Sequence, residues 1–240
     1  TGYVEVAEAA GARLRCPTTT TCVTKEVPYA QAFRTLTVST EATNPGTILI
    51  NVPKLKTHNL AITTLSMKNL MGAVHVLERH FCSQASKEIP EIVAREYTEF
   101  DPRLHRRWQE GLARRLIDTA RLITPDLNVV EGIVGRDGTG FRRGANHTLG
   151  LTVLGVNMVA VDAVASYLMG FDPDSITYLR MAAEAGLGTN DMTRIKVFVA
   201  EDPDLAPSSG LARCSDLGPL RADPPFTVIS SLPGLAKVAE

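Results

Sequence analysis

Two spacings of apolar side chains alternate along this chain, one close to the helical repeat and one of the strand type. Residues 3–12 carry the helical spacing, which Gly11 ends, and residues 33–39 alternate apolar with polar positions as a half-buried strand does. Residues 47–52 form a β-branched apolar run closed by Pro53, which predicts a strand buried on both faces of a mostly parallel sheet. The pattern turns helical over 62–76. The charged stretch 82–107 contains Pro90 and Pro102 and reads as an irregular excursion, a flap or contact surface, with one helix at 89–97. Leu112, Leu116, Ala120 and Ile123 predict an amphipathic helix over 108–123 that stops before Pro125. Strands at 127–134 and 149–156, helices at 157–168 and 173–185, a strand at 194–200 and an edge strand near 226–229 complete the pattern. Strands alternating with helices predict an α/β fold, one domain over 1–240 with a central mixed or mostly parallel sheet flanked by helices.

Composition narrows the function classes. The chain has 240 residues, 44% of them hydrophobic, and its 25 basic and 26 acidic groups leave a formal net charge of -1. That balance lacks the footprint of a sequence-independent nucleic-acid binder. The richest apolar stretch, 149–169, is interrupted by Asn157 and Asp162, so no membrane span is expected. Cys16, Cys22, Cys82 and Cys214 show no C-x-x-C spacing, which argues against an iron–sulfur module or zinc ribbon within these residues and favours buried free thiols. The chain opens at Thr1 without an initiator Met, so its start reads as incomplete; a cytoplasmic protein is expected, with export left open.

The candidate chemistry begins at 51–58, where Lys54 and Lys56 follow the apolar run. Extended backbone would put both on one face, about 6.6 Å apart, at the strand end where open α/β folds gather binding groups. Beside a buried strand such a pair needs a carboxylate or an anionic ligand; at the surface it is an ordinary solvated pair. Thr64 and Lys68 share a face if 62–76 is helical. Asp162 stands alone in the apolar stretch 159–165 and needs a partner, for which the lysines are the natural candidates. Five glycines in 131–144, among them Gly138 and Gly140, bring backbone amides near an anion, with Arg142 or Arg143 as a fork. The spacing is not a dinucleotide fingerprint, and a long strand-to-strand connection fits it equally. Glu131, at its strand end, is the better acid/base candidate. His75 and His80 are misaligned for a metal, although His58 with Glu131 or Asp162 leaves a divalent ion open.

The motifs Asn51-Val52-Pro53-Lys54-Leu55-Lys56-Thr57-His58, Ser66-Met67-Lys68-Asn69-Leu70-Met71-Gly72, Pro125-Asp126-Leu127-Asn128-Val129-Val130-Glu131-Gly132 and Val159-Ala160-Val161-Asp162-Ala163 together resemble the domain of unknown function 362 family. The resemblance covers most of residues 1–200. It implies that Thr1 corresponds to the middle of a family domain. Members are often joined to ferredoxin-like iron–sulfur modules, whose cysteine cluster is missing here, and Glu131 replaces a frequent Asp.

These readings lead to an expected enzyme acting on a small anionic or carbonyl-bearing metabolite, of isomerase, lyase or cyclase type, with no organic cofactor. Lys54, Lys56 and Lys68 stabilise negative charge, and Glu131, Asp162 or a lysine with a lowered pKa moves the proton. Thr57, His58, Thr64, Asn69, Gly138, Gly140 and Arg142 are the expected substrate-binding residues. The alternatives are a non-catalytic partner of a redox or iron–sulfur system, docking through the basic excursion, and a Schiff-base lysine enzyme. Association into homo-oligomers is left open.

Overall fold

The structure, a computed structural model, describes residues 2–96, 100–140, 142–200, 211–212 and 214–229. Helix α1 (Tyr3–Ala9) ends where Gly11 takes a positive φ of 66°, as the pattern predicts. Strands β1 (Cys22–Glu26) and β2 (Thr35–Ser39) then pair antiparallel. Next come β3 (Ile50–Asn51), β4 (Lys54–His58), β5 (Ile62–Thr64) and the one-turn helix α2 (Ser66–Asn69), which tightens into a 3-10 turn at Leu70–Ala73. Helices α3 (Phe81–Lys87), α4 (Pro90–Val93) and α5 (Pro102–Leu122) precede the two long strands β6 (Leu127–Arg136) and β7 (Asn146–Gly155). The described chain closes with α6 (Met158–Leu168), α7 (Thr177–Glu184), β8 (Val197–Phe198) and β9 (Leu211–Ala212).

β6 organises the central sheet. On one edge β3 and then β4 run parallel to it, with Ile50 beside Leu127 and Lys54 beside Glu131; on the other, β7 pairs antiparallel. β3 and β4 are one strand interrupted at Val52 and Pro53, since Pro53 has no N–H, yet its carbonyl still accepts from the Glu131 amide at 2.9 Å. β5 turns back antiparallel on β4. The arrangement is α/β with a mixed sheet flanked by helices. Its core lies on one face, where Leu55 and Val130 pack beneath α6 and the buried side of α5. α5 starts at Asp101, whose carboxylate caps the Arg103 and Leu104 amides ahead of Pro102. Among the described residues no helix is long and apolar enough to cross a membrane.

Several expectations change. The run 47–52 is not buried on both faces: Ile48, Ile50 and Val52 are 79%, 54% and 59% exposed, while the alternating Leu49, half-buried, and Asn51, at 6%, turn inward. Helices cover one side of this part of the sheet, and Ile133, Leu154 and Val156 are exposed along with the three. The span 62–76 is not one helix, because its β-branched start pairs with β4 and leaves room for only one α turn. Within 82–107 the described residues carry α3, α4 and the start of α5 where one helix was expected: Phe81, Ala85 and Ile89 are buried, and Gly111 lets Ala85 approach α5. Tyr97, in the helix expected at 89–97, lies outside the described residues. The strand expected at 194–200 shrinks to β8, and near 226–229 one bridge joins Val228 to Gly138.

Gly135 lies where the core leaves no room for a side chain, since a Cβ there would stand 2.5 Å from Phe226 Cζ and 2.8 Å from Leu55 Cδ2. Gly135→Ala is expected to destabilise the fold by about 1–3 kcal/mol through overpacking. Gly72→Ala, where a Cβ meets nothing within 4 Å, stays within about 0.5 kcal/mol of the parent. Denaturant unfolding of the two variants beside the parent checks both.

Candidate functional site

The lysines that follow β3 do not share a fate. Lys54 stands beside Glu131 on the neighbouring strand, and its ammonium donates to the Glu131 carboxylate on the more exposed side of the sheet. The register then shifts, so that Lys56 already faces Arg136, and Lys56 is only half-exposed. The expectation that both lysines converge on one site therefore fails for Lys54. Glu131 leaves with it: Lys54 and the Ile133 amide, at 2.8 Å, hold its carboxyl below the usual carboxylate range.

Lys56 and Lys68 do come together, at the carboxyl end of β4. Burial lowers the Lys56 ammonium to about 8, and the charge of Lys68 adds to the effect. Lys68, on α2, is lowered by burial as well, with Cys82 acting in the opposite sense. Among the described residues neither ammonium has a hydrogen bond or an ion pair. Thr64, directly across the β4–β5 ladder from Lys56, is buried, and its hydroxyl makes no hydrogen bond there either.

His58 ends β4 and shapes the turn into β5. Its Nδ1 accepts from the Leu60 and Ala61 amides, both at 3.1 Å, so the ring proton sits on Nε2. Burial, Lys68 and Lys56 hold the imidazole well below its ordinary pKa, and the ring is neutral. The tight turn carries strain, for Ile62 is β-branched at a φ of 69°. Nε2 lies 3.8 Å from Cys82 Sγ. Sequence reading took Cys82 only as a buried thiol; nothing in its spacing from Lys68 announces that α3 returns it to the end of β4.

The glycine-rich segment is a hairpin between β6 and β7, and it forms a wall of this cluster. Thr57 is buried, and its hydroxyl donates to Gly138 O at 2.9 Å, which makes it a fastening of that wall. Gly140, at a φ of 82°, lies so close that a Cβ would be 2.1 Å from Thr57 O and 3.7 Å from Lys56 Nζ. Arg142 is exposed on the same hairpin, its amide donating to Thr139 Oγ1 at 3.3 Å.

Asn69 and Asp162 support the cluster from behind. The Asn69 amide donates to Asn51 Oδ1 at 2.7 Å, and Asn51 Nδ2 donates to Ser66 O at 3.0 Å and Asn128 Oδ1 at 2.9 Å, a ladder tying α2 to β3 and β6. Asp162 is not the partner of the lysines. Its buried carboxyl accepts from the Ser66 and Met67 amides, at 2.7 and 3.0 Å, and from Tyr178 OH at 3.3 Å. The free amides at the start of α2 are nearer claimants than any ammonium. Burial still pushes Asp162 up to about 7. No group of three or more His, Cys, Asp or Glu among the described residues is placed to hold a metal ion.

Comparison with known proteins adds a family. The family described as Domain of unknown function (DUF362) matches residues 1–167. A thylakoid-associated protein of Synechocystis sp. (strain ATCC 27184 / PCC 6803 / Kazusa) is 29% identical over 175 residues, which are 72% of this chain and 47% of the relative. The chain thus spans about half the length of that relative. No solved structure matches.

The Asp162 carboxyl carries a pH signature. Its folded pKa, about 7, lies above the value of about 3.9 in an unfolded chain. Its neutral form therefore adds stability that is complete below about pH 4 and lost as pH rises through 7, up to about 4 kcal/mol. Asp162→Asn keeps a neutral amide at every pH. The stability advantage of the parent over this variant, read from urea midpoints, is expected to be largest near pH 4 and to shrink steadily toward pH 8.

Proposed function

The chain belongs to the domain of unknown function 362 family, and we propose that this member is an enzyme acting on a small anionic or carbonyl-bearing metabolite, with Lys56 moving the proton and Lys68 holding the negative charge. The observation that carries this reading is the pair of uncompensated ammonium groups at the carboxyl end of β4. Two like charges brought together where water is partly excluded repel more strongly than in bulk water. A bound carboxylate, phosphate or enolate oxygen reverses the sign of that energy, and the Thr64 hydroxyl, opposite Lys56, supplies a neutral donor. The Glu131 and Asp162 carboxyls are engaged elsewhere, which leaves a lysine as the proton carrier. A group titrating near 8 is well matched to proton transfer around neutral pH.

The reaction class is isomerase or lyase chemistry on a carbon next to a carboxylate or carbonyl, without an organic cofactor. An unprotonated Lys56 amine beside a second cation also supports the Schiff-base reading, in which the amine condenses with the carbonyl and water leaves. The thylakoid association of the Synechocystis relative favours a further reading, a non-catalytic partner of a redox system. In it Arg103, Arg106 and Arg107 on α5 would meet an acidic partner.

Inorganic phosphate and pyruvate are the probes, with binding followed by calorimetry. Lys56→Met and Lys68→Met are each expected to weaken binding by about tenfold or more, the scale of losing one close charge. The affinity of the parent for pyruvate, whose charge is constant over this range, stays level below pH 7 and falls as pH rises through 8, because Lys56 then loses its charge; Lys56→Met lacks that fall. Unchanged affinity in both folded variants would reject the anion site. Sodium borohydride trapping with pyruvate tests the Schiff-base form.

A further inference from the structure

Cys82 is a thiol that the anion site as described above does not use. It stands in the first turn of α3, half-exposed, and its backbone is pinned by Trp108 Nε1, which donates to Cys82 O at 2.8 Å. Its sulfur meets His58 Nε2 at 3.8 Å. Because two backbone amides occupy Nδ1, His58 can offer the sulfur only a proton-bearing nitrogen. The ring is thus a donor to the sulfur and no base for its proton. The unpartnered ammonium of Lys68 acts on the same sulfur: burial, the larger effect, pushes the thiol up, and the Lys68 charge draws it part of the way back. A buried structural cysteine has apolar neighbours; this one faces an imidazole N–H and a desolvated cation.

We propose that Cys82 is the nucleophile of the Lys56–Lys68 site, directed at an anionic substrate that carries an electrophilic carbon, with 2-oxo acids as the substrate class. The inference rests on the anion-binding reading above. In the covalent step the sulfur attacks the carbonyl carbon: the S–C bond forms, the C=O π bond breaks, and its electron pair goes to oxygen. The Lys56 ammonium gives that oxygen a proton and takes up the thiol proton in exchange, so the adduct contains every atom of both reactants and needs no oxidant or reductant. Lys68 and the His58 Nε2–H stabilise the sulfur while it carries charge, and Lys68 then faces the new oxyanion.

The test uses the whole chain and two alkylating probes of similar size, anionic iodoacetate and neutral iodoacetamide, at pH 8. In each, sulfur displaces iodide and its proton goes to solvent. Peptide mass spectrometry reads the rate at Cys82 against Cys16, an exposed cysteine in the same chain. The iodoacetate-to-iodoacetamide rate ratio at Cys82 is expected to exceed that at Cys16 on the order of tenfold. Inorganic phosphate removes the excess at Cys82 only, Lys68→Met abolishes it, and Lys68→Arg retains it. A ratio at Cys82 equal to that at Cys16, or one untouched by Lys68→Met in a variant with the parent's unfolding midpoint, overturns the proposal. If phosphate still binds in calorimetry while the ratio shows no excess, Cys82 falls and the anion site stands; if phosphate binding fails too, both fall. Cys82→Ser is expected to keep the parent's phosphate affinity, since the sulfur does not hold the anion; a large loss of affinity in a variant with the parent's unfolding midpoint would make Cys82 an anion ligand and overturn its role as nucleophile.

Discussion

Burial of the Asp162 carboxyl against the Ser66 and Met67 amides joins α6 to the start of α2, and through α2 it sets where Lys68 stands. A four-residue helix has almost no stability of its own, since nucleating one turn costs more than its single hydrogen bond returns. What holds α2 in place comes from outside. Asp162 takes its free amides, Asn51 takes Ser66 O, and Asn69 reaches back to Asn51. Tyr178 and Thr63 extend the network from Asp162 toward α7 and β5, with Thr63 Oγ1 3.0 Å from Tyr178 OH. Polar groups this deep are costly unless they are matched, and although the Ser66 hydroxyl itself has no partner, the matched amides and carboxyl fix one geometry for the segment that carries Lys68.

The desolvated lysines are the opposite case. Burial and mutual repulsion raise the cost of keeping Lys56 and Lys68 charged, and no carboxylate among the described residues offsets it. A fold selected for stability alone would replace one of them with Met or Leu. Groups that oppose the packing around them cluster where a ligand completes the site, and the strained turn at Ile62 lies at the same strand end. His58 connects the two, because the nitrogen that stabilises the turn is unavailable for proton transfer and the remaining one faces Cys82.

Much of the architecture was legible because it follows from periodicity. The apolar stripe of α5, the long strand β6 and the glycine-rich turn to β7 each declare themselves within a dozen or so residues. The errors fall where tertiary pairing overrides local pattern. Residues 62–64 read as the start of a helix and became a strand because β4 offered them a ladder, and this removed the helical face that Thr64 and Lys68 were expected to share. The β-branched run at 47–52 looked doubly buried, since a strand with one open face and a buried strand have the same composition when the open face is also apolar. The site was half legible for the same reason. Lys56 and Lys68 lie near one another in sequence, whereas the links from Asp162 to Ser66 and from Cys82 to His58 span the fold and leave no local trace.

The contrast between Lys54 and Lys56 shows how much chemistry one register shift controls. β4 is continuous through both, and along it alone the two would share one face and one environment. Here β6 runs ahead of β4 between them, so Lys54 stays on the side where Ile50, Val52 and Ile133 meet solvent and finds a carboxylate on the next strand. An exposed pair of that kind contributes about 0–1 kcal/mol and is screened by salt. Lys56 is carried beneath the glycine hairpin, where Gly140 comes close enough to limit its hydration. The difference in chemistry between these two residues therefore belongs to the backbone, and changing the length of β6 before Arg136 should alter the Lys56 site more than most substitutions around its ammonium.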